Sequence, residues 1–136
     1  GITGLDYEEG TWTAAIYATG GSITTNSSYN TGDYVKIGNI VHINGHFRAS
    51  SVSSPTGQLR ISGLPFSVGG VNDRTGWSIW YHNLSLSTGD DIQAYTSKDA
   101  TVIRFDRGRA GSIADTTGPA CGGSTEMNVT GTYTTA

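Results

Sequence analysis

Residues 40 to 48 read Ile-Val-His-Ile-Asn-Gly-His-Phe-Arg. Val41, Ile43 and Phe47 occupy alternate positions, and His42, Asn44 and His46 lie between them. Successive side chains of a strand point to opposite faces. This order therefore makes one dry face and one polar face, the mark of a half-buried β-strand.

The same period of two recurs in both directions from this segment. In Asp33 to Ile37, Val35 and Ile37 are expected to face one way and Tyr34 and Lys36 the other. Gly38-Asn39 then reads as a hairpin turn into the next strand. Residues 57 to 63, GQLRISG, place Leu59 and Ile61 inward, and Pro65 should end that strand because proline cannot donate to the ladder. Residues 77 to 87, WSIWYHNLSLS, begin apolar on both faces. Trp77, Ile79 and Tyr81 fall on one side and Trp80, Leu84 and Leu86 on the other, so one cover is the core and the other is expected to be a second subunit. Residues 91 to 97 and 100 to 108 read as strands joined by a Lys98-Asp99 turn, and 125 to 133 as a last strand with Met127, Val129 and Tyr133 on one face. Several strands at this spacing predict an all-β, antiparallel sandwich or jelly roll forming a single domain over residues 1–136.

Composition agrees. The chain has 136 residues, of which 20 are Gly, and only 14% are charged, a low share that leaves room for many tight turns. The net charge is −3 and no run of Lys or Arg occurs, so no nucleic-acid footprint is present. No apolar stretch reaches the roughly 20 residues of a membrane-spanning helix, so no membrane insertion is expected, and no signal peptide is visible. Cys121 is the single cysteine and cannot form an intrachain disulfide or a zinc site, which leaves it a bystander.

Several segments in order resemble the module at the C-terminal ends of bacteriophage tail fibres and tailspikes. They are DYEEGTWT (6–13), GDYVKIGNIV (32–41), ISGLPF (61–66) and VTGTYTT (129–135). The resemblance covers both ends and roughly the first half of the chain, while residues 70 to 123 match in general strand character alone. The family pattern reads T-W-T-P at its opening, and Ala14 stands here in place of that proline. The resemblance implies a β-sandwich in an intertwined or side-by-side homotrimer at the distal tip of a longer fibre, located on the virion and touching the host cell.

Candidate chemistry is limited. Glu8 and Glu9 are adjacent, and adjacent residues of an extended chain face opposite ways, so they cannot flank one glycosidic bond as a retaining pair at about 5–5.5 Å does. His42 and His46 on one strand face would bind a metal only with a third ligand or by repetition around a trimer axis, and Asp90 with Asp91 at a turn lack the spaced D-x-D-x-D-G pattern of a calcium loop. No metal or other cofactor is expected. The aromatic and charged residues of the second half are the remaining set: Trp77, Trp80, Tyr81, Asp90, Asp91, Tyr95, Arg104, Asp106 and Arg107. Flat rings suit stacking on sugar C–H faces, and neighbouring Asp and Arg suit hydroxyls. Flanking loops add Asn72, Asp73, Arg74 and Arg109. The functional expectation is a non-enzymatic tip domain that binds a bacterial surface glycan or outer-membrane receptor through residues 70 to 115. The alternatives are a structural trimerisation or chaperone cap, or part of a polysaccharide depolymerase.

Overall fold

The computed structural model describes residues 6–71, 73–110 and 112–135. Among the described residues nine strands follow one another: β1 (Tyr7–Thr13), β2 (Ala15–Thr25), β3 (Thr31–Ile37), β4 (Ile40–Ser62), β5 (Arg74–Leu84), β6 (Asp91–Ser97), β7 (Val102–Arg109), β8 (Ser112–Ala114) and β9 (Cys121–Thr134). A 3-10 turn, Gly118–Ala120, precedes β9. No helix among the described residues is long and apolar enough to cross a membrane.

The all-β expectation holds, and the two strands expected at 40–48 and 57–63 are one. β4 runs unbroken for 23 residues and belongs to two sheets. Its first half lies between β3 and β9, with Gly32 opposite Gly45 and Val41 opposite Tyr133. Its second half lies between β2 and β7, with Ile16 opposite Ile61 and Ile61 opposite Ile103. β5 makes the same transfer: Arg74 to Trp77 pair with β6, and Ser78 onward pair with β9. The ring β4–β9–β5–β6–β7 therefore closes on itself through the β4–β7 pairing. All of these pairings are antiparallel.

The expectation of an antiparallel all-β fold holds, and its architecture is a five-stranded barrel with extra strands: β4 and β5 are each shared between two sheets and form its corners. β4 turns its corner at Ser54 to Gly57. Ser54 and Gly57 both have positive φ, and the opposite strand β2 carries register shifts around Gly20. At Gly21 a Cβ would lie 2.1 Å from the Ser54 carbonyl oxygen, so the close approach there requires glycine. Such irregularities increase local twist and bend a strand.

The interior follows the alternation read from the sequence. Val41, Ile43, Phe47, Leu59, Ile61, Met127 and Val129 are fully buried, joined by Ile103 and Phe105. Trp12 is buried and meets Phe47 edge to face at 5.2 Å. Both rings lie over glycine: a Cβ on Gly32 would come 2.6 Å from Trp12 Nε1, and one on Gly45 would come 2.2 Å from the Phe47 ring. On β9, Gly131 makes the same room for Trp77.

On β3 the expected alternation holds: Tyr34 and Lys36 face inward, opposite the buried Ile43 and Val41, and Ile37 is exposed. Tyr34 meets Phe66 edge to face, and the Lys36 ammonium lies 5.7 Å from the same ring and 3.5 Å from Asp6. A long cationic side chain can cover a core edge with its stem and keep its charge paired at the rim. On β5, Leu84 turns to the core instead of sharing the face of Trp80. Asn83 has φ 62 and the pairing with β9 shifts register between His82 and Leu84, which reverses the alternation there. Leu86, beyond the end of β5, also packs on the core. The chain also uses two strands, β2 and β8, where the sequence signal is weak.

Phe47→Ala should cost about 3–5 kcal/mol, because it removes a fully buried ring and leaves a hole beside Trp12. Denaturant unfolding followed by Trp fluorescence measures this loss, and a loss under 1 kcal/mol on that order-of-magnitude scale would mean the barrel collapses around the cavity.

Candidate binding surfaces

The residues singled out in the sequence separate into five places. Trp77 belongs to the core. Its ring packs against Tyr133 at 5.7 Å, and its Nε1 donates to Thr96 Oγ1 at 2.6 Å. A buried indole N–H needs such an acceptor, and this one fixes Trp77 as structural.

Trp80 points the other way, onto the outer face of β3, β4, β9 and β5, and is 54% exposed. It stands in a cluster that the sequence did not reveal as one site. Its ring lies 6.3 Å from His46 and 6.0 Å from His82. Glu126 on β9 accepts from His46 Nε2 at 3.1 Å and pairs with Arg48 Nε and His82 Nδ1 at 3.3 Å each. The His82 hydrogen bond leads in holding the Glu126 carboxyl below the usual range, with help from Arg48 and His46 against the cost of burial. The Arg48 guanidinium in turn lies 5.0 Å over the Tyr29 ring. His42 is apart, with Nδ1 at 3.1 Å from Thr132 Oγ1. Among the described residues no three His, Cys, Asp or Glu side chains gather as metal ligands.

Asp90 and Arg107 form a second group, at one end of the barrel. The Asp90 side chain is 5% exposed and accepts from Arg107 Nη1 at 3.1 Å and Arg109 Nε at 2.8 Å. Desolvation pushes its carboxyl up, but the Arg107 and Arg109 bonds together outweigh this and hold it low. Arg107 also donates to Thr116 Oγ1. Asp90, Arg107 and Thr116 line an open depression of about 300 Å³ with Ser85, Leu86 and Ser87. Asp91 is engaged separately: its Oδ1 accepts from the Tyr81 hydroxyl at 2.7 Å and from the Ile92 N–H at 2.8 Å, and the Tyr81 bond leads in lowering its carboxyl.

Tyr95, Arg104 and Asp106 make the third group, on the outer face of β2, β4, β7 and β6. Arg104 stands directly opposite Tyr95 on one side and Arg60 on the other. Gln58 is 6% exposed and ties the group together. Its Nε2 donates to Asp106 Oδ1 at 2.9 Å, and its Oε1 accepts from Arg60 Nε at 3.0 Å. The Arg74 guanidinium lies 5.2 Å over the Tyr95 ring. Gln58 and Arg60 lie outside residues 70 to 115, the segment expected to carry the site. The inward Leu59 and Ile61 already put both on the outer face. Asp106, Arg107, Arg109 and Arg74 sit in strands and not in loops. Asn72 lies outside the described residues.

Glu8 and Glu9 do face opposite ways, paired with Lys36 and Val35 respectively. The Tyr34 hydroxyl donates to Glu8, and the Tyr7 hydroxyl donates to Glu9 at 2.6 Å. Cys121 is buried, and burial pushes its thiol up, which disfavours the reactive thiolate.

No protein-family model matches the chain, and no curated protein matches it. Among solved structures the chain is similar to a portion of a phage tailspike. That structure is the Dettilon tailspike protein (gp208), with a TM-score of 0.84 and 25% sequence identity over 94% of this chain. The chain spans 24% of the length of that protein. The likeness agrees with the resemblance to tailspike modules that the motif order in the sequence carries.

Asp90 and Glu126 are both held low in the folded chain, so the unfolded chain binds more protons in acid. Their contribution is complete above the ordinary carboxylate values of about 4 and is lost as pH falls through the lower folded values. Asp90→Asn and Glu126→Gln should each reduce the difference in thermal midpoint between about pH 6 and about pH 3, measured by circular dichroism. An unchanged difference would show that neither carboxyl carries the acid sensitivity.

Proposed function

We propose that this chain is a non-enzymatic receptor-binding module of a phage tailspike or tail fibre. It carries a bacterial surface glycan on one outer barrel face and assembles as a homotrimer through the other. The main support is the third group. Tyr95, Arg104 and Asp106 come together with Gln58 and Arg60 on strands, where a closed barrel holds them rigid. Rings and hydrogen-bonding side chains so fixed can hold a sugar without paying to order a loop. The site lies at the virion tip in this reading, and its ligand is a cell-surface glycan on the host.

The non-enzymatic reading rests on the carboxylates. Asp90 is tied up by two arginines, Asp91 by Tyr81, and Glu8 and Glu9 face apart. None is set as an acid–base pair across a cleft.

The trimer reading rests on exposed apolar side chains of β1, β3 and β4. Tyr7, Ile37 and Ile40 are cross-strand neighbours and are 55%, 44% and 52% exposed. Their row continues the sheet that carries Trp80. A second copy packed there would remove them from water, as the apolar centre of an oligomer interface does.

Sedimentation of the chain should give about three times 14.2 kDa, and the pair Ile37→Glu with Ile40→Glu should give the monomer mass. A monomer for the parent chain at micromolar concentration would refute the assembly. For receptor binding, Tyr95→Ala should cost about 1–3 kcal/mol per site, if a sugar stacks as bases do on aromatics, which is roughly tenfold to a hundredfold. Binding of the fluorescent trimer to host cells reads this loss, amplified by avidity over the subunits. Unchanged binding by variants of Tyr95, Arg104 and Asp106 that fold would place the receptor site elsewhere.

A further inference from the structure

The six arginines divide into two kinds. Arg48 pairs with Glu126, and Arg107 and Arg109 pair with Asp90. Arg60, Arg74 and Arg104 form no ion pair among the described residues, and all three lie on the outer face that carries Tyr95. The register strings a single row across four strands: Tyr17 opposite Arg60, Arg60 opposite Arg104, and Arg104 opposite Tyr95. Three inter-strand spacings make it about 14 Å long.

This row is costly as it stands. Like charges placed directly opposite on neighbouring strands repel. In addition, Arg104 Nε is buried and has no hydrogen-bond partner. A buried N–H without an acceptor costs free energy, and more so when charged. Gln58 offsets a little of this, since its Oε1 takes the Arg60 Nε proton. Its other end holds Asp106 Oδ1, so the one carboxylate of the group is bonded to an amide and not to either arginine. The chain as a whole is negative at −3, yet here three arginines stand against a single acid. A feature that destabilises the free chain and has no partner in it is explained by a ligand that supplies the missing acceptor.

We propose that Arg60 and Arg104 together bind the carboxylate of an acidic sugar in a polysaccharide, with the next sugar ring against Tyr95 and Arg74 beside it. The inference rests on the receptor-binding reading and names its ligand class. Two guanidinium groups offer forked donors that match a planar carboxylate. A carboxylate suits the row better than a phosphate, because Asp106 stands beside it and repels a second negative charge. Tyr17 and Tyr95 flank the arginine pair, which makes the row a track for several sugars in line.

Calorimetric titration of the whole chain tests this with defined probes. Tetragalacturonate should bind, and neutral maltotetraose should bind at least tenfold more weakly. Arg60→Gln and Arg104→Gln should each lower tetragalacturonate affinity at least tenfold while leaving the thermal midpoint unchanged or raised. That midpoint separates a binding role from a structural one, since a structural arginine would lower it on removal. Equal binding of maltotetraose, no effect of either variant, or a lowered midpoint for both variants would overturn the proposal. So would glucose 6-phosphate or oligothymidylate binding as tightly as tetragalacturonate. Host-cell binding of the double variant is read alongside. If cells are still bound while tetragalacturonate is not bound by the parent chain, the receptor-binding reading stands and this ligand assignment fails. If cells are not bound by the parent chain at all, the receptor-binding reading itself fails.

Discussion

The architecture depends on one strand that serves two sheets. β4 spans 23 residues, and its two halves pair with different neighbours on both edges. Without the change of partners after Arg48, the chain would form two hairpin sheets with open edges. With it, the β4–β7 pairing closes the ring and removes the edges of five strands. β3 and β2 then attach as extra strands against the parts of β4 that the ring leaves free, and β1 attaches to β3. The bend is permitted by Gly21 and Gly57, where the opposing backbone or side chain comes too close for a Cβ.

Closure also decides which side chains are available for binding. Inside the ring there is room for one layer of rings and branched aliphatics, and glycines at 32, 45 and 131 take the ring edges. Trp12, Phe47 and Trp77 are consumed by this packing. What remains outside is carried by strands and not by long loops. Its positions are therefore set by the hydrogen-bonded ladder, to the precision of a strand spacing. The two outer faces differ in character. One carries Tyr7, Ile37, Ile40 and the Trp80–His46–His82–Glu126 cluster; the other carries Arg60, Arg104, Tyr95 and Asp106.

The charged groups divide along the same lines. Where acids and arginines are partnered, as at Asp90 and Glu126, the carboxyls are held in their charged form and act as structural ties. Tyr133 is tied in another way: its hydroxyl donates to the Phe66 carbonyl at 2.8 Å, and burial pushes its pKa up to about 12, so it stays neutral. The arginines without an acid partner among the described residues, Arg60, Arg74 and Arg104, lie on the face of Tyr95.

Much of the fold was legible in the sequence because alternation is a local property. Val41, Ile43, Phe47, Leu59, Ile61, Met127 and Val129 could be assigned inward from their spacing alone, and all are fully buried. The opposite facing of Glu8 and Glu9 followed from the same rule. Legibility ended where local signals tie. Residues 33 to 37 have apolar atoms on both faces, and only the pairing of Tyr34 with Ile43 chose the inner one. Leu84 changed side because a single positive φ at Asn83 reverses the phase of everything after it. β2 carries little apolar area of its own and exists because β4 offers it a ladder. The candidate site was half visible for the same reason. Tyr95, Arg104 and Asp106 could be picked by residue type, but Gln58 and Arg60 join them only through the β4–β7 pairing. Sequence by itself determined the strand character and most facings, since these depend on neighbours two residues away. Tertiary structure decided the closed ring and the row of arginines, since both depend on which distant strands share hydrogen bonds.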